Sequence, residues 1–222
     1  MEMKIMEWIW MNSNEFEERI WYFYLELEEE FLQLEKIIPY DDINKNTFTY
    51  KYMALLQSIC SEIETVFKKF IELKDNTLKK KKIEDYEKFI EKYYPRFKNS
   101  EITCYKHRFN NKRLKPYQHW NSDNSPNWWQ VYNKIKHDRV KIKEEDTEWY
   151  LYANQKNVLK ALGGLFILNM YFYREIVFNP DECEIPLPQS EIFNLENWGN
   201  YREKLFGNRI YLDLDTFKGY YN

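Results

Sequence analysis

Between residues 14 and 38 apolar side chains recur at alternating steps of four and three: Phe16, Ile20, Phe23, Leu27, Phe31, Leu34 and Ile38. That spacing keeps one face of a helix apolar, so a long amphipathic helix is predicted there. Glu15, Glu17, Glu18, Glu28, Glu29 and Glu30 fall on the opposite side, and Pro39 followed by Asp41 and Asp42 stops it. A second long helix is predicted from Thr49 to Lys74. Leu56, Ile59, Ile63, Val66 and Phe70 make its stripe, widened by Met53, Cys60 and Phe67. Glu64 stands one turn from Cys60 and Phe67, at the edge of the buried face, where a carboxylate is expected to meet a Lys or Arg.

A run of lysines, Lys79 to Lys82, leads into a shorter predicted helix, Ile83 to Tyr94, closed by Pro95. Periodicity fades from Ile102 to Trp120, which reads as loop with a short strand. Order restarts at Ser125-Pro126, an N-cap residue followed by a proline at the first helical position, and a helix is predicted from Pro126 to Val140. The last long helix is predicted from Trp149 to Val177, buried through Leu151, Val158, Leu162, Leu165, Phe166 and Leu168. Gly163-Gly164 inside it costs about 1 kcal/mol per residue relative to Ala, which calls for a closely approaching neighbour. The expected fold class is therefore all-α, a bundle of four to five helices over residues 1–179. The irregular extension over 180–222, with Pro186, Pro188 and short apolar clusters such as Ile210-Tyr211-Leu212, is expected to wrap the bundle and to form a small hairpin.

Composition agrees with that pattern. The 222 residues are 44% hydrophobic and 19% aromatic with only 5 Gly and 7 Pro, which favours long helices over a many-turned β protein. The most apolar run, Ala161 to Tyr173, is shorter than the roughly 20 residues needed to span a bilayer. Met1 to Trp10 interleaves Glu2, Lys4 and Glu7 with apolar groups, so no signal-peptide core forms. Cys60, Cys104 and Cys183 are odd in number and far apart, indicating no disulfide framework and a reducing, cytoplasmic setting.

Charge changes the picture more. The net charge of -3 hides a basic stretch from Lys79 to Lys143, with 18 Lys and Arg against 7 Asp and Glu. Either the acidic helices lie against that stretch, or it forms a face for a polyanion.

The densest candidate chemistry runs from Trp128 to Arg139, Trp-Trp-Gln-Val-Tyr-Asn-Lys-Ile-Lys-His-Asp-Arg. On a helix Asn133 and His137 are about 40° apart and share a face with Trp129, while Tyr132 and Lys136 form the adjacent column. Arg139 stands beyond Lys136. His137 is suited to take and return a proton near neutral pH, Asn133 to orient it, and Lys136 to offset charge on a phosphoryl group. The bland alternative is a basic helix surface above a core of tryptophans.

Long helices followed by a late helix carrying Asn133-x-x-x-His137 resemble the HEPN superfamily, helical bundles of prokaryotic toxin and antiviral systems. Its active members carry an Arg shortly before the His, often as Arg-Asn-x-x-x-His. Here Tyr132 stands at the usual Arg position, and a Tyr cannot supply that charge. The resemblance covers residues 14 to 178 in helix order. The wider string, Lys115-Pro-Tyr-Gln-His-Trp120 followed by Trp-Trp-x-x-Tyr-Asn-x-x-Lys-His-x-Arg, is also similar to a motif of bacterial HEPN-like proteins.

The resemblance implies a metal-independent endoribonuclease that works as a homodimer without a cofactor, with RNA as substrate and an antitoxin or defence component as protein partner. In that version His137 is the base and later acid, Asn133 orients, and Lys136 stabilises the phosphorane. Lys112, Arg113, Lys115 and Arg139 hold the backbone, and Tyr117, Trp120 or Trp129 stack on bases, with Tyr132 beside them. The rival is a non-catalytic HEPN-like module that binds a protein or nucleic acid through the same surface. Cys104-x-x-His107 with His119 lacks a second close pair, so no metal site is expected. No Gly-rich phosphate loop, Gly-x-Ser-x-Gly elbow or His-Glu-x-x-His occurs.

Overall fold

The computed structural model describes residues 11–75, 77, 82–104, 109, 111–140, 142–144, 147–176, 183–195 and 211–212. Met1 to Trp10, Lys79 to Lys81 and His107, which bear on the sequence pattern, lie outside the described residues.

Asn12 opens the first helix with a capping box: its side chain accepts from the Glu15 N–H at 2.9 Å, and the Glu15 carboxylate accepts from the Asn12 N–H at 3.1 Å. Helix α1 (Ser13–Phe16) runs through a π-helical stretch, Glu17–Trp21, into α2 (Tyr22–Ile37). The wider π turn holds one extra residue, which advances the register of everything after it. Trp21, Tyr24, Glu28 and Leu32 therefore turn inward, and Phe23, predicted for the core, is 45% exposed. Glu28, predicted on the outer side, is buried for the same reason.

Thr49 caps α3 (Tyr50–Lys74), accepting from the Tyr52 N–H. Helix α4 (Ile83–Tyr93) follows. The fading periodicity after Ile102 resolves into two short antiparallel strands, β1 (Ile102–Cys104) and β2 (Lys112–Leu114). Next come α5 (Asn127–His137) and a second pair of short strands, β3 (Ile142–Glu144) and β4 (Thr147–Glu148).

The last long helix breaks where the apolar pattern has it continuous. Trp149–Tyr152 is a 3-10 turn, and α6 (Gln155–Ile176) starts after Asn154, whose side chain accepts from the Asn157 N–H at 3.1 Å. The loop before α3 closes the new start: the Gln155 and Lys156 N–H groups donate to the carbonyls of Thr47 and Lys45. From Asn157 to Tyr173 every residue of α6 is buried except Lys160. A helix apolar all round belongs at the centre of a domain, and α6 packs most extensively on α3.

The C-terminal extension corrects the all-α expectation. Its strand β6 (Phe193–Leu195) pairs with β1, giving a three-stranded antiparallel sheet in the order β2-β1-β6. The fold is thus mostly helical with a small sheet on one side. Strand β5 (Cys183–Glu184) pairs antiparallel with β7 (Tyr211–Leu212), and because β6 lies between them in the chain this pair is not a hairpin.

The extension is held by α2. Tyr24 O–H donates to Glu28 Oε1 at 2.6 Å, and the same carboxylate accepts from Ser190 Oγ and from the Glu191 N–H at 2.7 Å. Trp21 Nε1 donates to the Pro188 carbonyl at 2.7 Å. The glycine pair sits where neighbours leave no room. A Cβ on Gly163 would overlap Ile102 of β1, and one on Gly164 would lie 3.1 Å from the Trp128 ring and 3.3 Å from the Tyr117 hydroxyl.

Candidate nucleic-acid interface

Helix α5 starts one residue later than expected and ends three earlier. Pro126 occupies the N-cap position without a side-chain hydrogen bond, and the Asp138 N–H closes the last turn on the Lys134 carbonyl at 2.8 Å. Trp128, Val131, Tyr132 and Ile135 face the core, leaving Asn133, Lys134 and His137 on the solvent side.

The aromatic residues proposed for base stacking are core residues. Trp128 Nε1 donates to the Pro116 carbonyl at 3.0 Å, and Tyr117 O–H donates to the Gly164 carbonyl at 3.1 Å. Trp120 packs on Tyr117 and Phe67. Trp129 packs edge-on against Trp128 and Tyr132, and at 4% exposure its ring is buried although it lies one turn before the exposed Asn133. Tyr117, Trp120 and Trp129 therefore offer no open ring to a base. Large flat side chains close to an amphipathic boundary serve either purpose, and burial here decides for packing.

Tyr132 and Lys136 form the predicted column, and both end on Glu64 of α3. Tyr132 O–H donates to Glu64 Oε1 at 3.0 Å and Lys136 Nζ donates to the same oxygen at 2.9 Å. Lys68 Nζ lies 3.7 Å from the other oxygen. Burial raises the Glu64 pKa, but the hydrogen bonds from Lys136 and Tyr132, with the Lys136 and Lys68 charges, hold it below the usual carboxylate value. The bond to Glu64 raises the Lys136 pKa against some desolvation. Lys136 also covers the Tyr132 ring at 5.2 Å. Its charge is thus already matched, and Tyr132 is turned inward as part of the same cluster. Sequence reasoning missed Tyr86 of α4, a buried hydroxyl without a hydrogen bond whose pKa is raised by burial and then by Glu64.

Asn133 and His137 are exposed and make no hydrogen bond or ion pair with any described residue. Arg139, just past the helix, is exposed and unpaired in the same sense, as is Lys115 before it. Lys134 lies 6.0 Å from the centre of the Trp149 ring. Arg113 points outward from β2, its nearest carboxylate being Glu101 at 3.9 Å. Lys112, its neighbour in β2, lies on the other face of the strand, toward Asp42.

Cys60 and Cys104 are free and buried. Burial pushes the Cys104 thiol up to about 12, so it is a poor nucleophile or metal ligand. Among the described residues no group of three or more His, Cys, Asp and Glu is placed to hold a metal ion. No helix among them is long and apolar enough to cross a membrane. Comparison with protein-family models, with curated proteins and with solved structures gave no match.

The surface that remains for chemistry is the solvent side and C-terminal end of α5. It carries one imidazole, one amide and two cations, Lys134 and Arg139, that pair with no carboxylate among the described residues.

Proposed function

We propose that this protein is a helical, HEPN-like RNA-binding protein that holds the ribose-phosphate backbone through α5 without cleaving it. Lys134 and Arg139, with Lys115 ahead of the helix, supply the charge. Asn133 and His137 supply hydrogen bonds to sugar or phosphate oxygens. The observation that carries this reading is the division of labour on α5: Lys136 is bonded to Glu64, whereas Lys134, His137 and Arg139 meet no carboxylate among the described residues. A general acid-base site needs its charge-stabilising group free beside the base. Lys136, on the same helix as His137, is engaged by Glu64, and Arg113, the other candidate, stands on β2 beside Glu101. The toxin or antiviral setting and the homodimer implied by the resemblance belong to the same proposal.

A second reading, a metal-independent endoribonuclease, is favoured by one observation. Asn133 and His137 are both open to solvent, one turn apart, and neither is bonded to a described residue.

Fluorescence anisotropy of a labelled single-stranded RNA across a NaCl series tests the binding reading. Affinity is expected to fall linearly in log-log form. Lys134→Ala and Arg139→Ala should each flatten the slope by roughly one, because each leaves one phosphate without its cation. RNA that binds at no salt concentration, or equally at all of them, refutes it. RNA kept in EDTA should stay intact; cleavage that disappears in His137→Ala would establish the second reading instead.

A further inference from the structure

Lys160 is the one residue between Asn157 and Tyr173 that the core does not enclose, and it is only partly open. It makes no hydrogen bond or ion pair with any described residue. Lys156 precedes it by four positions and so shares its face of α6. The same face continues to Gly163, against which Ile102 of β1 and Pro116 are pressed, so the β1–β2 hairpin lies on this side of the helix.

Strand β2 brings Lys112, whose ammonium sits 4.9 Å from the centre of the Tyr40 ring and 3.8 Å from Asp42. The loop before α3 brings Lys45, whose carbonyl accepts from the Lys156 N–H at 2.9 Å and whose ammonium bonds Asp42, also at 2.9 Å. Three segments therefore gather Lys45, Lys112, Lys156 and Lys160 with Asp42 as their ion-pairing carboxylate. That carboxylate is 79% exposed and, among the described residues, reaches Lys45 and Lys112. Desolvation, then Lys156 and Lys112, lower the Lys160 pKa below the ordinary lysine value, in keeping with a cation that lacks a counter-charge.

We propose that these four lysines form a binding site for a dianionic phosphoryl group, the terminal phosphate of a phosphomonoester or a pyrophosphate. Lys156 and Lys160, which pair with no carboxylate among the described residues, suit two negative charges, while an internal phosphodiester carries one. Lys160, half withdrawn from water, supplies the strongest electrostatic contact, because charge pairs gain strength as solvent is excluded. The site is separate from the α5 surface: Lys112 faces α6, and Arg113 and Lys115 alternate to the other side of the strand.

The test uses the full chain and inorganic pyrophosphate without divalent ions, against NaCl at matched ionic strength. The wild type should show a saturable rise in melting temperature. Lys160→Met should abolish it, and Lys156→Gln should weaken the affinity by about tenfold, the size of one charge-assisted hydrogen bond. Lys160→Met removes a half-buried charge, so its own melting temperature without ligand should rise, which shows that it folds. No shift in the wild type, or an equal shift in Lys160→Met, overturns the site. A competition arm separates the sources of the phosphate. A 5′-phosphorylated oligonucleotide should displace pyrophosphate better than the same oligonucleotide with a 5′-hydroxyl. Equal displacement would mean that backbone phosphates suffice, and would overturn the assignment to a dianion.

Discussion

Glu62 lies on the inward stripe of α3 with Leu55, Ile59 and Val66, and it is only 9% exposed. It makes no hydrogen bond or ion pair with any described residue, and burial alone pushes its carboxyl up from 4.5 to about 7. The folded state therefore holds this proton more tightly than the unfolded chain does. The resulting stability is fully present below pH 4.5 and is lost as the pH rises through 7. At about 1.4 kcal/mol per pH unit the displacement sets a ceiling near ~3 kcal/mol, and residual solvent screening reduces it to about 1–2 kcal/mol. Glu62→Gln keeps the shape and removes the charge. Urea unfolding of both proteins at equal salt should show the variant more stable by that amount at pH 8 and indistinguishable at pH 4. Taking the difference between the two proteins cancels every other titrating group. Equal stabilities at pH 8, or the same gap at both pH values, would refute the reasoning.

Three further outcomes follow from particular contacts. Glu28→Ala removes the acceptor for Tyr24, Ser190 and the Glu191 N–H, and should cost about 3 kcal/mol. Amide exchange over residues 190–195 should speed up before that of α3. Gly164→Ala gains about 1 kcal/mol of helix propensity but presses on the Trp128 ring, and thermal unfolding should show a net loss of about 1–2 kcal/mol. Glu64→Gln should cost at most about 1 kcal/mol at pH 7, because the Lys136 end of the pair is 44% exposed. The Glu64 pKa is lowered, so that cost is present above the ordinary carboxylate value and should vanish in acid unfolding curves as the pH falls through the lowered one.

The long helices were legible because their apolar period is long and their stops are chemical: Pro39, Thr49 and Pro95 sit within a residue or two of the observed ends. What the period could not show was a change of period. The π turn at Glu17–Trp21 shifts the face of α2, which is why Phe23 and Glu28 exchange places relative to the pattern. The sheet was half legible, since three-residue strands carry too few positions for alternation to register, and the partner of β1 lies far along the chain in β6. At the candidate site the Tyr132–Lys136 column and the pairing of Glu64 follow from helical geometry alone. The burial of Trp120 and Trp129 does not, because a tryptophan at a helix boundary has the same spacing whether it faces a base or a core.

The charge polarity of the chain offers two explanations, internal neutralisation or an external polyanion, and the pairs separate them. Lys92 meets Asp75, Lys98 meets Glu87 and Glu91, Lys112 meets Asp42, and Lys136 meets Glu64. Only some of these carboxylates come from outside the basic stretch. Carboxylates of the acidic N-terminal helix pair along the helix or with the C-terminal extension: Glu15 faces Arg19, Glu29 faces Lys36, and Glu28 holds the extension. The charge of that helix is therefore not the complement of α5. Internal pairing accounts for the lysines nearest α3 and α4 and for Lys112 of β2, and among the described residues it leaves Lys115, Lys134 and Arg139 around one exposed helix. Unpaired surface cations cost little in water when scattered. Gathered beside Asn133 and His137, they make α5 the place where a polyanion gains most, and the salt dependence of RNA binding in Lys134→Ala and Arg139→Ala measures that gain directly.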